Sequence, residues 1–165
     1  MLGFVLAEVG LIADARRFAV EAVAADPLNV FSRFARGAVD FFDGRFEEAA
    51  IWFRDYLVRV SPGEPFLIWW LAQALAYAGR IDEAKLNFEQ VAKTDEWFPN
   101  FIAACLVQVG DNDGALEWLE RAITWGFSNH RFLSEHSRFL APLRGEPRFL
   151  ALMERARKKQ QAFVA

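Results

Sequence analysis

Apolar residues recur along this chain at spacings of three and four. Ala49, Trp52, Phe53, Tyr56, Leu57 and Val60 show the period most clearly, and it is that of one buried face of an α-helix. Apolar stretches of helical length also run through Phe4-Val5-Leu6, Phe34–Phe42, Trp69–Tyr77 and Phe101–Val109. No segment alternates with the two-residue period of a strand. Each of these four stretches ends at a glycine, Gly10, Gly44, Gly79 or Gly110, and five residues later comes an alanine: Ala15, Ala49, Ala84 or Ala115. A glycine just past a helix end adopts the left-handed conformation without a Cβ penalty. A small residue early in the following helix lets two backbones approach closely. The second helices are expected to stop at Asp26-Pro27, Ser61-Pro62-Gly63, Asp95 and Gly126, because proline cannot continue a helix and glycine readily leaves one.

The glycines lie 34, 35 and 31 residues apart, so the unit of helix, tight turn, helix and connection is a repeat. It resembles the tetratricopeptide repeat. The resemblance rests on Gly44-Arg45-Phe46-Glu47-Glu48-Ala49 with Phe53, on Gly79-Arg80-Ile81-Asp82-Glu83-Ala84 with Phe88, and on Gly110-Asp111-Asn112-Asp113-Gly114-Ala115 with Leu119 and Ala122. The first copy adds Ala15, Ala22 and Asp26-Pro27-Leu28-Asn29. The family's small residue inside the first helix stands as Gly3, Gly37, Ala72 and Ala103. Tyr56 and Val91 depart from the pattern where a small residue is preferred. Arg36 and Asp40 depart where large apolar residues are usual, so the second helix pair is expected to pack less well. The resemblance implies an all-α, right-handed superhelical solenoid of about four helix-turn-helix repeats, in one domain over 1–165. The repeats span about 1–29, 30–63, 64–95 and 96–128, with a C-terminal cap over 129–165. The first helix, only nine residues before Gly10, reads as clipped.

The segment Ser137-Arg138-Phe139-Leu140-Ala141-Pro142-Leu143-Arg144-Gly145-Glu146-Pro147-Arg148-Phe149-Leu150-Ala151-Leu152-Met153 is similar to the end of tetratricopeptide regions in bacterial multidomain signalling proteins. There the array follows a cyclase, kinase or winged-helix domain, and none of these is present here. Pro147 suits the first turn of a helix, and Arg155 to Lys159 suit its end. A final helix is expected over about Glu146–Gln161, with Phe149, Leu150, Leu152 and Met153 covering the last repeat, as a solenoid requires.

Charge changes the picture only at this end. Residues 1–129 carry 11 basic and 19 acidic side chains, and residues 130–165 carry 8 and 3. The net charge of −3 argues against general nucleic-acid binding. The basic run Arg155-Ala156-Arg157-Lys158-Lys159 reads as a solvated helix end. Cys105, the single cysteine, sits in an apolar run and reads as a buried, inert thiol, which fits a reducing compartment. Without a signal-peptide pattern or a membrane-length apolar run, a cytoplasmic location is the default. His130 and His136 share no helix face, and no metal-ligand spacing, phosphate loop or nucleophile motif occurs. Asp111-Asn112-Asp113-Gly114 lacks the downstream glutamate of a calcium loop, since Ala122 stands there; it reads as a turn with a helix-capping acid. No cofactor, metal or catalytic residue is therefore expected, and the chain reads as a binder rather than an enzyme.

Aromatic residues make up 15 % of the chain, and many fall on the first helices. The resemblance implies that these helices line the inner, concave surface. The matched inward positions are Phe4 and Glu8, then Phe31, Phe34, Ala38, Phe41 and Phe42. Next come Phe66, Trp69, Gln73 and Tyr77, with Trp70 beside them, and finally Trp97, Asn100, Phe101 and Gln108. The candidate groove is thus Phe31, Phe34, Phe41, Phe66, Trp69, Trp70, Gln73, Tyr77, Trp97, Asn100 and Phe101. Core packing accounts for about half of these side chains. The rest require either that the terminal segment folds back over them or that they await a partner. Some family members clamp a carboxylate with Lys, Arg and Asn, but that set is not present here. The expected partner is a protein or peptide presenting an apolar or amphipathic helix. Self-association as a homodimer, or a regulatory role within a larger bacterial signalling protein, is the alternative.

Overall fold

The computed structural model describes residues 2–59, 61–93 and 98–164, without the side chains of Glu8, Val30, Arg138, Phe163 and Val164. Trp97 and Asp95 lie outside the described residues. Those residues form α1 (Leu2–Glu8), α2 (Ile12–Ala25), α3 (Val30–Phe42), α4 (Phe46–Arg59), α5 (Pro65–Tyr77), α6 (Ile81–Ala92), α7 (Phe98–Gln108), α8 (Asn112–Trp125) and α9 (Pro147–Val164). A π-helical turn, Phe132–His136, and a 3-10 helix, Arg138–Leu143, lie between α8 and α9. The fold is an all-α array of helical repeats. No helix among the described residues is long and apolar enough to cross a membrane.

The turns show why the repeat forms. Gly44 and Gly79 take φ of 77° and 81°, the left-handed region that penalises a side chain. After each, the next residue's N–H reaches back to the carbonyl five positions earlier: Arg45 to Asp40 at 2.8 Å and Arg80 to Leu75 at 2.9 Å. The same closure follows Gly10 and Gly110. This satisfies carbonyls that a helix end leaves open and turns the chain back at a fixed angle. The paired alanines Ala15, Ala49, Ala84 and Ala115 are all fully buried where the second helix leaves the turn.

The chain folds as two compact units, Met1–Val91 and Ala92–Ala165. In the N-terminal unit, α1 packs on α2 and α3, and α3 on α4, which in turn meets α5. Asn29 caps α3 by accepting from the Phe31 and Ser32 amides, and Glu64 caps α5 by accepting from Leu67 at 2.8 Å. At the α3–α4 crossing Gly37 leaves no room for a side chain. A Cβ there would stand 2.7 Å from the Phe53 ring, which is itself fully buried. The larger residues that depart from the family pattern, Tyr56 and Val91, are nonetheless buried.

In the C-terminal unit α7 packs on α8, and Asp111 caps α8 by accepting from the Gly114 amide at 3.0 Å. The acidic turn is thus a helix cap. The 3-10 helix packs on α7, burying Leu140 and Leu143, so part of the terminal segment does fold back over a first helix. α9 covers α8 through Phe149, Leu152, Met153 and Ala156, all buried. Leu150 departs from expectation: it is 57 % exposed, because only positions three, four and seven beyond Phe149 share its helix face. The basic end is largely consumed internally. Lys159 Nζ donates to the Ile123 and Thr124 carbonyls at the end of α8, and Arg155 pairs with Glu120 at 2.7 Å. A cation there complements the negative end of the helix.

Candidate functional site

Because α1, α3 and α5 are the first helices of successive repeats, their aromatic residues come together on one face of the N-terminal unit. Trp70 of α5 is the centre. Its ring lies 5.2 Å from Phe41, 5.6 Å from Phe34, 6.0 Å from Phe42 and 6.1 Å from both Phe4 and Phe66, centroid to centroid. Most of these contacts are edge-on, the arrangement that ring quadrupoles favour. Tyr77 extends the cluster, meeting Phe41 at 5.5 Å and stacking on Phe46 at 5.1 Å. Beneath it, Phe53 of α4 supports Phe34 at 6.1 Å and Trp70 at 5.7 Å.

Exposure grades across this face. Phe53 and Phe34 form a buried floor, while Trp70, Phe41, Gln73 and Tyr77 are part-buried. Phe66 at the rim is 49 % exposed. The Trp70 indole nitrogen is shielded from solvent and has no hydrogen-bond partner among the described residues.

Other members of the expected groove fall elsewhere. Phe31, 59 % exposed, lines a separate notch of about 250 Å³ with Leu2, Gly3, Phe18 and Ala22. Trp69, one residue before Trp70 and so turned about 100° around α5, meets Phe88 of α6 at 5.8 Å. Asn100 and Phe101 belong to the C-terminal unit, where they line a cleft with Phe127 and Phe132. Gln108 is exposed and donates to the Phe139 carbonyl at 3.5 Å.

Sequence reasoning missed Phe46, Phe53, Phe127 and Phe132 as site residues. Phe46 and Phe53 lie on a second helix, and repeat logic assigns those helices to the far side. Phe127 stands at the very end of the last repeat, past the Gly126 stop of α8, and Phe132 follows it; neither has a matched position.

One polar cluster stands under the same repeat. Asp40 is fully buried, and three arginines converge on it. Arg16 of α2 reaches Oδ1 at 2.8 Å, Arg36 approaches Oδ2 at 3.3 Å, and Arg45 from the turn also pairs with Oδ1. Burial pushes the Asp40 carboxyl above its ordinary pKa, against the opposing pull of Arg36 and Arg16. The two residues that depart from the family's apolar pattern in α3 thus answer each other and tie α3 to α2.

Cys105 is buried on α7, and burial pushes its thiol pKa up to about 12, so it carries no thiolate at neutral pH. His136 ends the π-helical turn, exposed, and the His130 amide donates to Gln160. No group of three or more His, Cys, Asp or Glu among the described residues is placed to share a metal ion.

The architecture has a solved counterpart. It is the crystal structure of MamA, a tetratricopeptide-containing protein. The superposition gives a TM-score of 0.64 over 99 % of this chain and 97 % of that one, at 15 % sequence identity. The shared fold is an α-helical repeat solenoid. No family model matches the sequence, and no curated protein matches it.

Proposed function

We propose that this chain is a protein-interaction scaffold that binds an apolar or amphipathic helix on the aromatic face of α1, α3 and α5. The observation that carries the proposal is the Trp70 cluster. Six rings surround one indole, and they grade from a buried floor to a half-exposed rim. Exposed aromatic surface of this kind marks sites of association, and Trp and Tyr dominate binding energy where they occur. Helices that meet such grooves present apolar anchors every three or four residues. The likeness to the MamA fold supports the scaffold reading at the level of architecture. The buried thiol and separated histidines give no support to catalysis.

The test begins with helical peptides selected for binding to the full chain from a displayed library. Phe66→Ser removes a rim ring with little effect on folding, because the side chain is half-exposed. It is expected to weaken the selected peptides by about 2 kcal/mol, the size of a hot-spot loss. Leu86→Ser, 74 % exposed on α6, should leave binding unchanged. Equal affinities for native chain and Phe66→Ser would sink the proposal.

A second reading, self-association, is favoured by a different surface. Leu2, Val5, Val9 and Leu11 are all about half-exposed along α1 and its turn. Light scattering across a concentration series decides it, and a constant monomer mass eliminates it.

A further inference from the structure

The hairpin of α1 and α2 is tight within itself and lightly attached to α3. Inside the hairpin the backbones nearly touch: a Cβ on Gly3 would stand 3.0 Å from the Ala15 carbonyl oxygen. Between the hairpin and α3 the buried core is Ala7, Ala15 and Ala19 with Val39 of α3, and Leu6 and Ile12 pack part-buried around it. Burial stabilises in proportion to the apolar area removed from water, so alanine methyls contribute little. The next seams are filled by larger groups. Phe34 of α3, Phe53 of α4 and Trp70 of α5 interlock, with ring centroids 6.1, 5.6 and 5.7 Å apart.

Two further attachments cross from the hairpin. Phe4 sets its ring against Phe34 at 5.5 Å, Phe42 at 6.0 Å and Trp70 at 6.1 Å. Arg16 of α2 divides its guanidinium between two acids, with Nη1 on Asp40 Oδ1 at 2.8 Å and Nη2 on Asp43. Asp40 is buried on α3, and Asp43 caps the end of that helix. Arg17, the next residue, pairs within α2, with Asp14 and Glu21. Arg16 can leave without stranding either acid. Asp40 keeps Arg36 and Arg45, and Asp43 keeps Arg45, all on α3 or the turn after it.

We infer that α1 and α2 open from α3 as one unit while α3, α4 and α5 stay folded, with Arg16 as the latch. Local opening starts where the least apolar surface is buried. Ionic strength sets how often the latch releases. The Arg16 and Asp43 side chains keep 28 % and 35 % of their exposure, so salt screens their pair. Opening lifts Phe4 from Phe34, Phe42 and Trp70 and uncovers one flank of the aromatic face. The opening itself needs no partner; only this consequence rests on the binding role proposed for that face.

The test is native-state amide hydrogen exchange of the full chain, followed by NMR in low urea. Amides inside α2 and at the end of α1 should exchange roughly ten-fold faster than those of α3, α4 and α5. Their rates should also depend less on urea, the mark of an opening that exposes less surface than global unfolding. Arg16→Gln should speed exchange in α1 and α2 about ten-fold, the size expected for a lost charge-assisted hydrogen bond. Arg17→Gln, whose partners lie on its own helix, should leave those rates unchanged. Raising potassium chloride should speed the same amides in the native chain and not in Arg16→Gln. If Arg16→Gln does not fold, the urea and salt series on the native chain decide alone. Exchange of α1 and α2 at the rate and urea dependence of α3, α4 and α5 would overturn the proposal. So would exchange of α1 and α2 that ignores salt in the native chain.

Discussion

Phe53→Ala is expected to lower the stability of the N-terminal unit by about 4 kcal/mol, a large share of what a small domain possesses. The ring is fully buried, lies against the backbone of Gly37 and supports both Phe34 and Trp70. Its loss opens a cavity beside Gly37 where α3 packs on α4, and rigid helices collapse only partly into such a space. The complementary change is Gly37→Ala. On the native background its Cβ would sit 2.7 Å from a carbon of the Phe53 ring, and overpacking costs about 1–3 kcal/mol. On the Phe53→Ala background the obstructing ring is gone, and alanine is the better helix former by about 1 kcal/mol. Gly37→Ala should therefore change sign, from destabilising alone to stabilising in the double variant. Urea unfolding of the four proteins in the cycle measures the coupling. Additive effects would show that the two residues do not share one space.

Asp40→Ala should cost about 3 kcal/mol at neutral pH, for a different reason. It removes the carboxylate on which Arg16, Arg36 and Arg45 all converge; Asp43 still pairs with Arg16 and Arg45, and Arg36 is left without its acid. The arginines are only part-buried, at 28 %, 19 % and 37 % side-chain exposure, and can turn toward water, which holds the cost at the low end for a broken buried pair. Burial nevertheless holds the Asp40 carboxyl above its ordinary pKa, so the ion pairs do not fully offset the desolvation of the charge. Buried ion pairs are often matched or bettered by apolar packing of similar volume. The double variant Arg36→Leu/Asp40→Leu, which restores the apolar pattern usual in the first helix, should be as stable as the native chain or more so. Thermal unfolding checks both. A double variant as damaged as Asp40→Ala would mean that the charges contribute more than their burial costs.

The repeat was legible because backbone geometry demands particular residues. Only a residue without a Cβ turns cheaply through the left-handed region, so Gly44 and Gly79 announced the turns, and Ala49 and Ala84 announced the close contacts that follow. Pro147 likewise marked the start of α9. Side-chain direction was less legible. Trp69 and Trp70 are chemically identical neighbours, and which of them faces the cluster depends on a rotation of about 100° that apolar runs on all sides of α5 do not reveal. Leu150 was misplaced for the same reason. The Asp40 cluster was visible only as two departures from pattern, because arginines from two other segments complete it. Phe127 and Phe132 escaped because nothing past the Gly126 stop of the last repeat's second helix carries a register.

The central claim is that the face built by Phe4, Phe34, Phe66, Trp70 and Tyr77 receives a helix. The most direct measurement is a ring and methyl NMR footprint of the full chain on addition of a selected helical peptide. The account predicts perturbations concentrated on those aromatic rings, on the Trp70 indole N–H above all, with Ile51, Val58 and Leu86 on the second helices unchanged. Perturbation of Ile51, Val58 and Leu86 while the Trp70 resonances stay fixed would contradict it.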